Sequence, residues 1–141
     1  MKIDTEQKQL IFTESTDDIT VSVRPQFYND ESKIKHNSFV WLYNVRIKNL
    51  AAYSIQIMGR HWQIFDANGK VEEIKGTGVV GQQPVIKPQE VFEYTSQVRL
   101  FSSSGLMLGK YFAINMITNQ EFAINIPAFS LDIEHDAQKI N

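Results

Sequence analysis

Apolar side chains recur at every second position over much of this chain. Ile19, Val21 and Val23 alternate with Thr20, Ser22 and Arg24, the period of a strand with one buried face. Phe39, Trp41, Tyr43, Val45 and Ile47 do the same opposite Asn44, Arg46 and Lys48, and helical spacing would scatter them around an axis. Residues 38–50 therefore give the clearest predicted strand. Over 53–65 the parity changes midway, with Ile55 and Ile57 on one face and Met58, Trp62 and Ile64 on the other. Gly59 stands at the change, which predicts a bulge or twist there. Phe92, Tyr94, Ser96, Val98 and Leu100 alternate again, residues 107–118 supply a further strand, and Phe122, Ile124 and Ile126 another.

Turn chemistry divides these runs. Pro25 lacks an N–H, so its strand is expected to lie at an edge or to bend there. Residues 29–37 and 49–52 read as connections. Asn68-Gly69, between two apolar-rich runs, predicts a two-residue hairpin with a type I′ turn into 71–75, because that turn needs φ > 0 at both central positions. Pro84 and Pro88 bracket an extended Val85-Ile86-Lys87. Residues 102–105 read as a loop and Asn119-Gln120 as a tight connection. Pro127 is expected to break its strand, with alternation resuming at Phe129, Leu131 and Ile133. No stretch shows helical periodicity and no internal repeat is visible. Short strands at regular spacing predict an all-β sandwich or barrel of antiparallel sheets. It would span 19–134, with a loosely ordered arm over 1–18 and a polar tail over 135–141.

With 141 residues, the chain suffices for one domain with a substantial core. The formal net charge of -2 is not that of a nucleic-acid binder, which needs a basic surface. Cysteine is absent, which excludes disulfides, thiolate metal sites and Cys nucleophiles together and agrees with a reducing compartment. The first nine residues lack the apolar core of a signal peptide. No apolar run approaches the roughly 20 residues that span a bilayer. A cytoplasmic protein without membrane insertion is expected.

Candidate chemistry centres on Arg60-His61-Trp62 and on Gly76-Thr77-Gly78-Val79-Val80-Gly81. The spacing of Gly76, Gly78 and Gly81 is that of a dinucleotide fingerprint, but the fingerprint works by leading into a helix whose N-terminal amides hold a pyrophosphate. Here Gln82-Gln83-Pro84 follows, and Pro88 soon after, so the helix cannot form; no Lys-Ser/Thr makes it a Walker loop either. A close-packed connection is the simpler reading, with an anion nest of backbone amides as the alternative. His36, His61 and His135 lack metal-ligand spacing, and a site from His61 with Asp66 or Glu72 would need convergence across a hairpin. Glu72 and Glu73 project to opposite faces of a strand and do not form an acid–base pair. No nucleophile elbow is present. No catalytic residue, metal or cofactor is assigned. Trp and Arg are enriched in binding hot spots, yet Trp62 suits a core equally well.

Beyond residue physics, a set of ordered blocks carries a resemblance. Arg60-His61-Trp62 is followed by Asp66-Ala67-Asn68-Gly69-Lys70-Val71-Glu72-Glu73 and by Gly76 to Pro84. Phe92-Glu93-Tyr94-Thr95-Ser96, Gly105-Leu106-Met107-Leu108-Gly109-Lys110-Tyr111 and Ile126-Pro127-Ala128-Phe129-Ser130-Leu131 come after. Together, from about Ile19 to Ile133, they resemble the ApaG family. Two positions depart from its pattern, Gln89 and Gln97, each standing where the family usually has a turn-type Gly. The resemblance implies an immunoglobulin-like or fibronectin type III-like β-sandwich. Bacterial members carry a name linked to cobalt and magnesium efflux, which implies at most an indirect role in divalent-cation tolerance. Eukaryotic relatives attach the domain to F-box or polymerase-partner modules, which implies a protein-interaction unit.

The expectation is a non-enzymatic module that binds a protein partner, with self-association into a homodimer and strand addition at a sheet edge as routes. Phosphate or nucleotide binding at Gly76, Gly78 and Gly81 is the alternative. Arg60, His61 and Trp62 are the companion candidates for the recognition surface.

Overall fold

Phe39, Trp41, Tyr43, Val45 and Ile47 are all buried, and so are Ile19, Val21 and Val23. They line one face of a single sheet, and in the computed structural model, which describes residues 10–133, a second sheet covers it. Strands β1 (Phe12–Thr16), β2 (Ile19–Phe27), β3 (Phe39–Asn49) and β7 (Val91–Leu100) form one sheet in the order β1-β2-β3-β7. The other has the order β5-β4-β8-β9, from β4 (Ile55–Asp66), β5 (Val71–Thr77), β8 (Ser104–Asn115) and β9 (Glu121–Asp132). The two-residue β6 (Val85–Ile86) pairs with β4 beyond the end of β5. Every pairing is antiparallel. The result is an all-β sandwich of two antiparallel sheets.

Residues 12–16 of the expected arm form a regular edge strand, so the sandwich begins before Ile19. Its ring Phe12 meets Phe129 of β9 at 6.3 Å, and Asn125 donates its backbone N–H to Thr16 Oγ1 at 2.9 Å. Residues 1–9 and the expected tail, with His135, lie outside the described residues. The expected bulge is present, with the β4–β8 register shifting between Ile57 and Gly59. Pro25 pairs with Tyr43 two positions past Val23, where β1 has ended, so its missing N–H faces no strand.

Four local expectations change. The connection at 29–37 carries two 3-10 turns, Asn29–Glu31 and Ile34–His36. Pro127 does not break β9, because two residues of β9 oppose one of β8 between the Met107↔Phe129 and Gly109↔Ile126 pairs. Proline sits in that bulge without costing a ladder bond, and the extra residue restores Phe129 and Leu131 to the core side. Gly105 belongs to β8, not to a loop. A Cβ there would lie 2.6 Å from the Phe65 carbonyl oxygen and 2.8 Å from Leu100, so the glycine serves packing. Finally, the Asn68-Gly69 turn is not type I′. Gly69 alone in that turn has positive φ, +87°, and its N–H bonds to Asp66 O while Asp66 N–H bonds to Lys70 O. This is a three-residue loop with Gly in the left-handed position, selected by Asp66 Oδ1, which accepts from the N–H groups of Asn68 and Lys70 at 2.9 Å each.

Asn49 ends β3 fully buried. Its amide Nδ2 donates to Tyr53 O at 2.8 Å and Ile86 O at 2.9 Å, and its Oδ1 accepts from Ala51 N–H at 2.8 Å. Its backbone N–H donates to Glu90 O and its C=O accepts from Gln89 N–H. Gln89, one of the two departures from the family pattern, holds φ +72°, a region a side chain enters only at a cost. Gln97, the other, lies within β7 in unbroken register with Leu42.

Replacing Asn49 with Ala removes three side-chain hydrogen bonds and strands their buried partners. We expect a loss of about 3 kcal/mol or more in denaturant unfolding, with the slope unchanged. Gln89→Gly should act in the opposite direction, raising stability by about 1 kcal/mol in the same measurement as the left-handed strain is relieved.

Candidate functional site

The sequence candidates lie on β4, β5 and the loop that follows. Alternation along β4 sends Arg60 and Trp62 toward the opposite sheet and His61 to the outer face. Trp62 is core. It is 2% exposed and packs edge-on against Tyr43, Tyr111 and Phe129 at centroid distances of 5.4, 6.4 and 6.0 Å. Truncating it to Ala would cost about 3–5 kcal/mol of packing, so its loss would report on folding and not on recognition. His61 meets Glu73, Nε2 to Oε2 at 3.1 Å, with the carboxylate half exposed. Glu72 stands opposite the buried Ile64, away from His61. Among the described residues no group of three or more His, Asp or Glu side chains converges as a metal site.

Arg60 does the joining. Its partner across the ladder is Gly76, and the guanidinium lies over that glycine so closely that a Cβ would sit 2.8 Å from Nη1. Nη1 donates to Gly78 O at 2.9 Å and Thr77 O at 3.3 Å. Gly78, at φ +68°, could not carry a side chain, since a Cβ would come within 2.1 Å of Gln82 O. Its N–H bonds to Met58 O at the β4 bulge, and Val79 and Gln82 exchange both backbone hydrogen bonds. Between them Val80 and Gly81 have φ of 42° and 78°. The type I′ turn expected at Asn68-Gly69 is therefore found at Val80-Gly81, where the β-branched Val80 is strained. Val79 is fully buried and Val80 exposed, so the loop is pinned by one side chain and turned at the next.

Within residues 78–83 the N–H groups of Gly78, Val79 and Gln82 are spent internally, and the carbonyls of Thr77 and Gly78 face the Arg60 cation. An anion would find the amides of Val80, Gly81 and Gln83. The three glycines thus meet three separate needs: close approach of Arg60, close approach of Gln82, and a tight turn.

No pattern in the chain marked the polar cluster beside Arg60. Tyr94 of β7 and Tyr111 of β8 point inward from opposite sheets and share a hydrogen bond between their hydroxyls. Burial pushes the Tyr94 phenol well above the usual value for tyrosine, against the smaller opposing effects of the Tyr111 hydrogen bond and the Arg60 charge. Burial likewise raises Tyr111 well above the usual value, and its neighbour Tyr94 adds to the shift. Tyr43 is raised by burial and drawn back by its hydrogen bond to Ser96 and by Arg60. Inward parity on β7 and β8 was the available signal, but parity cannot show that two phenols meet across the interior. The phenols are tied to one another across the interior, and the Arg60 cation beside them fastens the loop through its carbonyls.

A second surface feature has no counterpart in the sequence candidates. Across β4, β8 and β9 of the five-stranded sheet a cleft of about 370 Å³ is lined by Met58, Phe112, Ala113, Ile114, Glu121, Phe122 and Ala123. Tyr111 and Ala113 point into the core, so Phe112 between them points out.

An ApaG domain model matches residues 29–115. The chain belongs to the ApaG family. It is 44% identical over 133 residues to Protein ApaG of Rhodospirillum centenum, covering 93% of this chain and all of that one. The likeness to Protein ApaG of Paramagnetospirillum magneticum is 44% over 131 residues, with the same coverage. The crystal structure of a Bordetella pertussis protein described as ApaA superimposes with a TM-score of 0.79 at 39% identity, over 82% of this chain and 93% of that one. The family resemblance carried by the Arg60, Gly76 and Tyr94 blocks is thus borne out. In this ApaG protein those blocks are the parts that build the loop clamp and the phenol pair.

The raised phenols give a stability profile with a definite sign. Unfolded tyrosine ionises near pH 10, while the folded phenols hold their protons to higher pH. Above pH 10 the unfolded chain therefore binds fewer protons than the folded one, and stability falls as pH rises. Below pH 10 the contribution is fully present. Urea midpoints should be flat approaching pH 10 and decline above it, and Tyr111→Phe should make that decline shallower.

Proposed function

We propose that this ApaG-domain protein is a non-enzymatic protein-binding module that seats an apolar side chain of its partner in the cleft around Phe112. The carrying observation is Phe112 itself, 45% exposed in mid-sheet at the wall of a concave apolar surface. A large aromatic ring held in solvent by two buried neighbours is the kind of feature that marks an interface. Val85, 44% exposed, extends the surface, because Gln56 pairs with Val85 on one side and Ile114 on the other. Glu121, paired with Ile114, sets a carboxylate at the rim and favours a partner with a basic group beside its apolar anchor. The immunoglobulin-like and fibronectin type III-like character implied by the family suits this use, since such sandwiches commonly bind through faces and edges.

What supports a non-enzymatic reading is the use already made of the polar groups. Arg60 is engaged by loop carbonyls, the buried phenols by each other, and His61 by an exposed glutamate. The phosphate reading has three loop amides to rest on; the divalent-cation reading is of an indirect role, which asks for no ligand set in this chain.

Immobilised protein, wild type and Phe112→Asp, should be compared for capture of proteins from cell lysate. Because the ring faces outward, the variant should keep its fold by circular dichroism and lose partner binding by about tenfold or more, the mark of a hot spot. Equal capture by both proteins, or no specific capture by the wild type, would overturn the proposal.

A further inference from the structure

A sandwich has four strand edges, and each exposes backbone groups that invite pairing unless something blunts it. On one side of this one, β1 and β9 lie close. β1 is five residues long, and β9 carries Pro127 in a bulge and has its Asn125 N–H taken by Thr16. On the other side, β5 places the Glu72 carboxylate opposite Ile64, on the side of the strand that faces the core, and β6 is only two residues long. Inward charges, prolines, bulges and brevity are the usual protections.

β7 has none of them. It runs ten residues from Val91 to Leu100 in unbroken register with β3. It contains no Pro, Gly or Lys, and its inward positions, Phe92, Tyr94, Ser96, Val98 and Leu100, are uncharged. The direction of its free groups follows from β3. Asn49 bonds through its N–H and C=O toward β7, to Glu90 and Gln89, whereas Leu50 N–H and Val40 C=O bond toward the β2 side, to Asp18 and Tyr28. Alternation then spends the backbone of Phe92, Tyr94, Ser96 and Val98 on β3. Glu93, Thr95, Gln97 and Arg99 turn theirs outward.

We propose that β7 pairs antiparallel with β7 of a second copy about a two-fold axis at Ser96, joining two four-stranded sheets into one. The charges select that register. Centred on Ser96, Glu93 stands opposite the partner's Arg99 and Arg99 opposite the partner's Glu93, while Thr95 meets the partner's Gln97. Each of these pairs consists of outward-turned residues, so each exchanges both backbone hydrogen bonds. The inner face sets Phe92 against the partner's Leu100 and Tyr94 against the partner's Val98, and the outer face sets Val91 against the partner's Phe101. Val91 and Phe101 are 37% and 50% exposed in the single chain. Centring on Thr95 instead puts Glu93 opposite Gln97 and Val91 opposite Arg99; centring on Gln97 puts Arg99 opposite Thr95. Both lose the ion pairs. A one-residue slip between these registers would send every side chain of one copy to the wrong face.

Neither charge is fully engaged within the single chain. Glu93 reaches Arg46 only at 3.9 Å with both side chains half exposed, a weak surface pair. Arg99 donates one Nη1 to Ser38 Oγ and keeps its other donors, for a guanidinium has five.

The test uses two full-length charge variants. Glu93→Arg alone opposes arginine to arginine across the axis, and Arg99→Glu alone opposes glutamate to glutamate. Each should dimerise at least about tenfold more weakly than the wild type in sedimentation equilibrium, since like charges directly opposite destabilise a strand pair twice over in a two-fold dimer. Mixed together, the two variants regain both opposite-charge pairs and should form a heterodimer with affinity close to the wild type. Amide exchange should show concentration-dependent protection at Glu93, Thr95, Gln97 and Arg99 and none at Tyr94 or Ser96. Thermal melts of both variants guard against misfolding, as both positions are exposed. A wild type that stays monomeric up to millimolar concentration overturns the proposal. So does a dimer that persists in both single variants, or a mixture that fails to associate. Phe112→Asp should dimerise as the wild type does, which separates this result from failure of the cleft.

Discussion

The buried amide of Asn49 is the interaction on which the arrangement of the two sheets depends. The chain passes from one sheet to the other between β3 and β4, and returns between β6 and β7. Both crossings meet at this residue. Its side chain holds Ala51 and Tyr53 on the outward path and Ile86 on the return, and its backbone holds Gln89 and Glu90. Dispersion and hydrophobic burial bring two apolar faces together but do not choose one sliding position over another. A buried polar group with fixed partners does choose, because any shift leaves a carbonyl or an N–H without a bond in a place that water does not reach. Asparagine alone supplies two donors and an acceptor, uncharged, at that reach.

Anchoring β6 has a consequence for the glycine loop. β5 and β6 both pair with the same edge of β4, so the chain between them must leave that edge and rejoin it within a few residues. It does so by burying Val79, turning sharply at Val80-Gly81 and bonding Gly78 back to Met58. Arg60 then closes over the loop because Gly76 has no side chain to hold it off. The strain at Val80 is tolerated for the same reason: both flanking residues are fixed by exchanged hydrogen bonds, so the turn must be completed whatever residue lies in it. What resembles a phosphate loop in spacing is a detour in an edge strand.

Most of the strand plan was legible in the chain, because a strand with one buried face writes its period directly into the residues. The bulge at Gly59 was legible as well, since parity cannot change without an extra residue. Features decided by neighbours distant in sequence were not. Pro127 reads as a breaker until the bulge opposite Leu108 is known, and Gly105 reads as a loop until Phe65 and Leu100 are placed against it. Asn-Gly favours a type I′ turn, but Asp66 captured the turn with its carboxylate and shifted it by one residue. At the candidate site, Arg60 and Gly76 were identified together, but Trp62 divided evenly between core and surface on composition, and only its ring neighbours settle it. Asn49 looked like an ordinary turn residue. Tyr94 and Tyr111 looked like two more alternating aromatics, since nothing in either strand tells of the other.

The family blocks gather the residues that build the interior and the loop clamp, and this bears on where the proposed partner site can lie. A group engaged by the fold is unavailable to a ligand unless the fold gives way, which would cost more than an ordinary contact returns. The proposed binding surfaces are accordingly those that the fold leaves unspent: the face around Phe112 and the free edge of β7. The first lies on β4, β8 and β9 of one sheet and the second is the end strand of the other. Because they share no residue, pairing through β7 would carry two clefts on one particle. A partner with two anchors would then bind with an effective concentration set by the particle's own dimensions, so a modest contact at each cleft could hold a bivalent partner firmly while releasing a monovalent one.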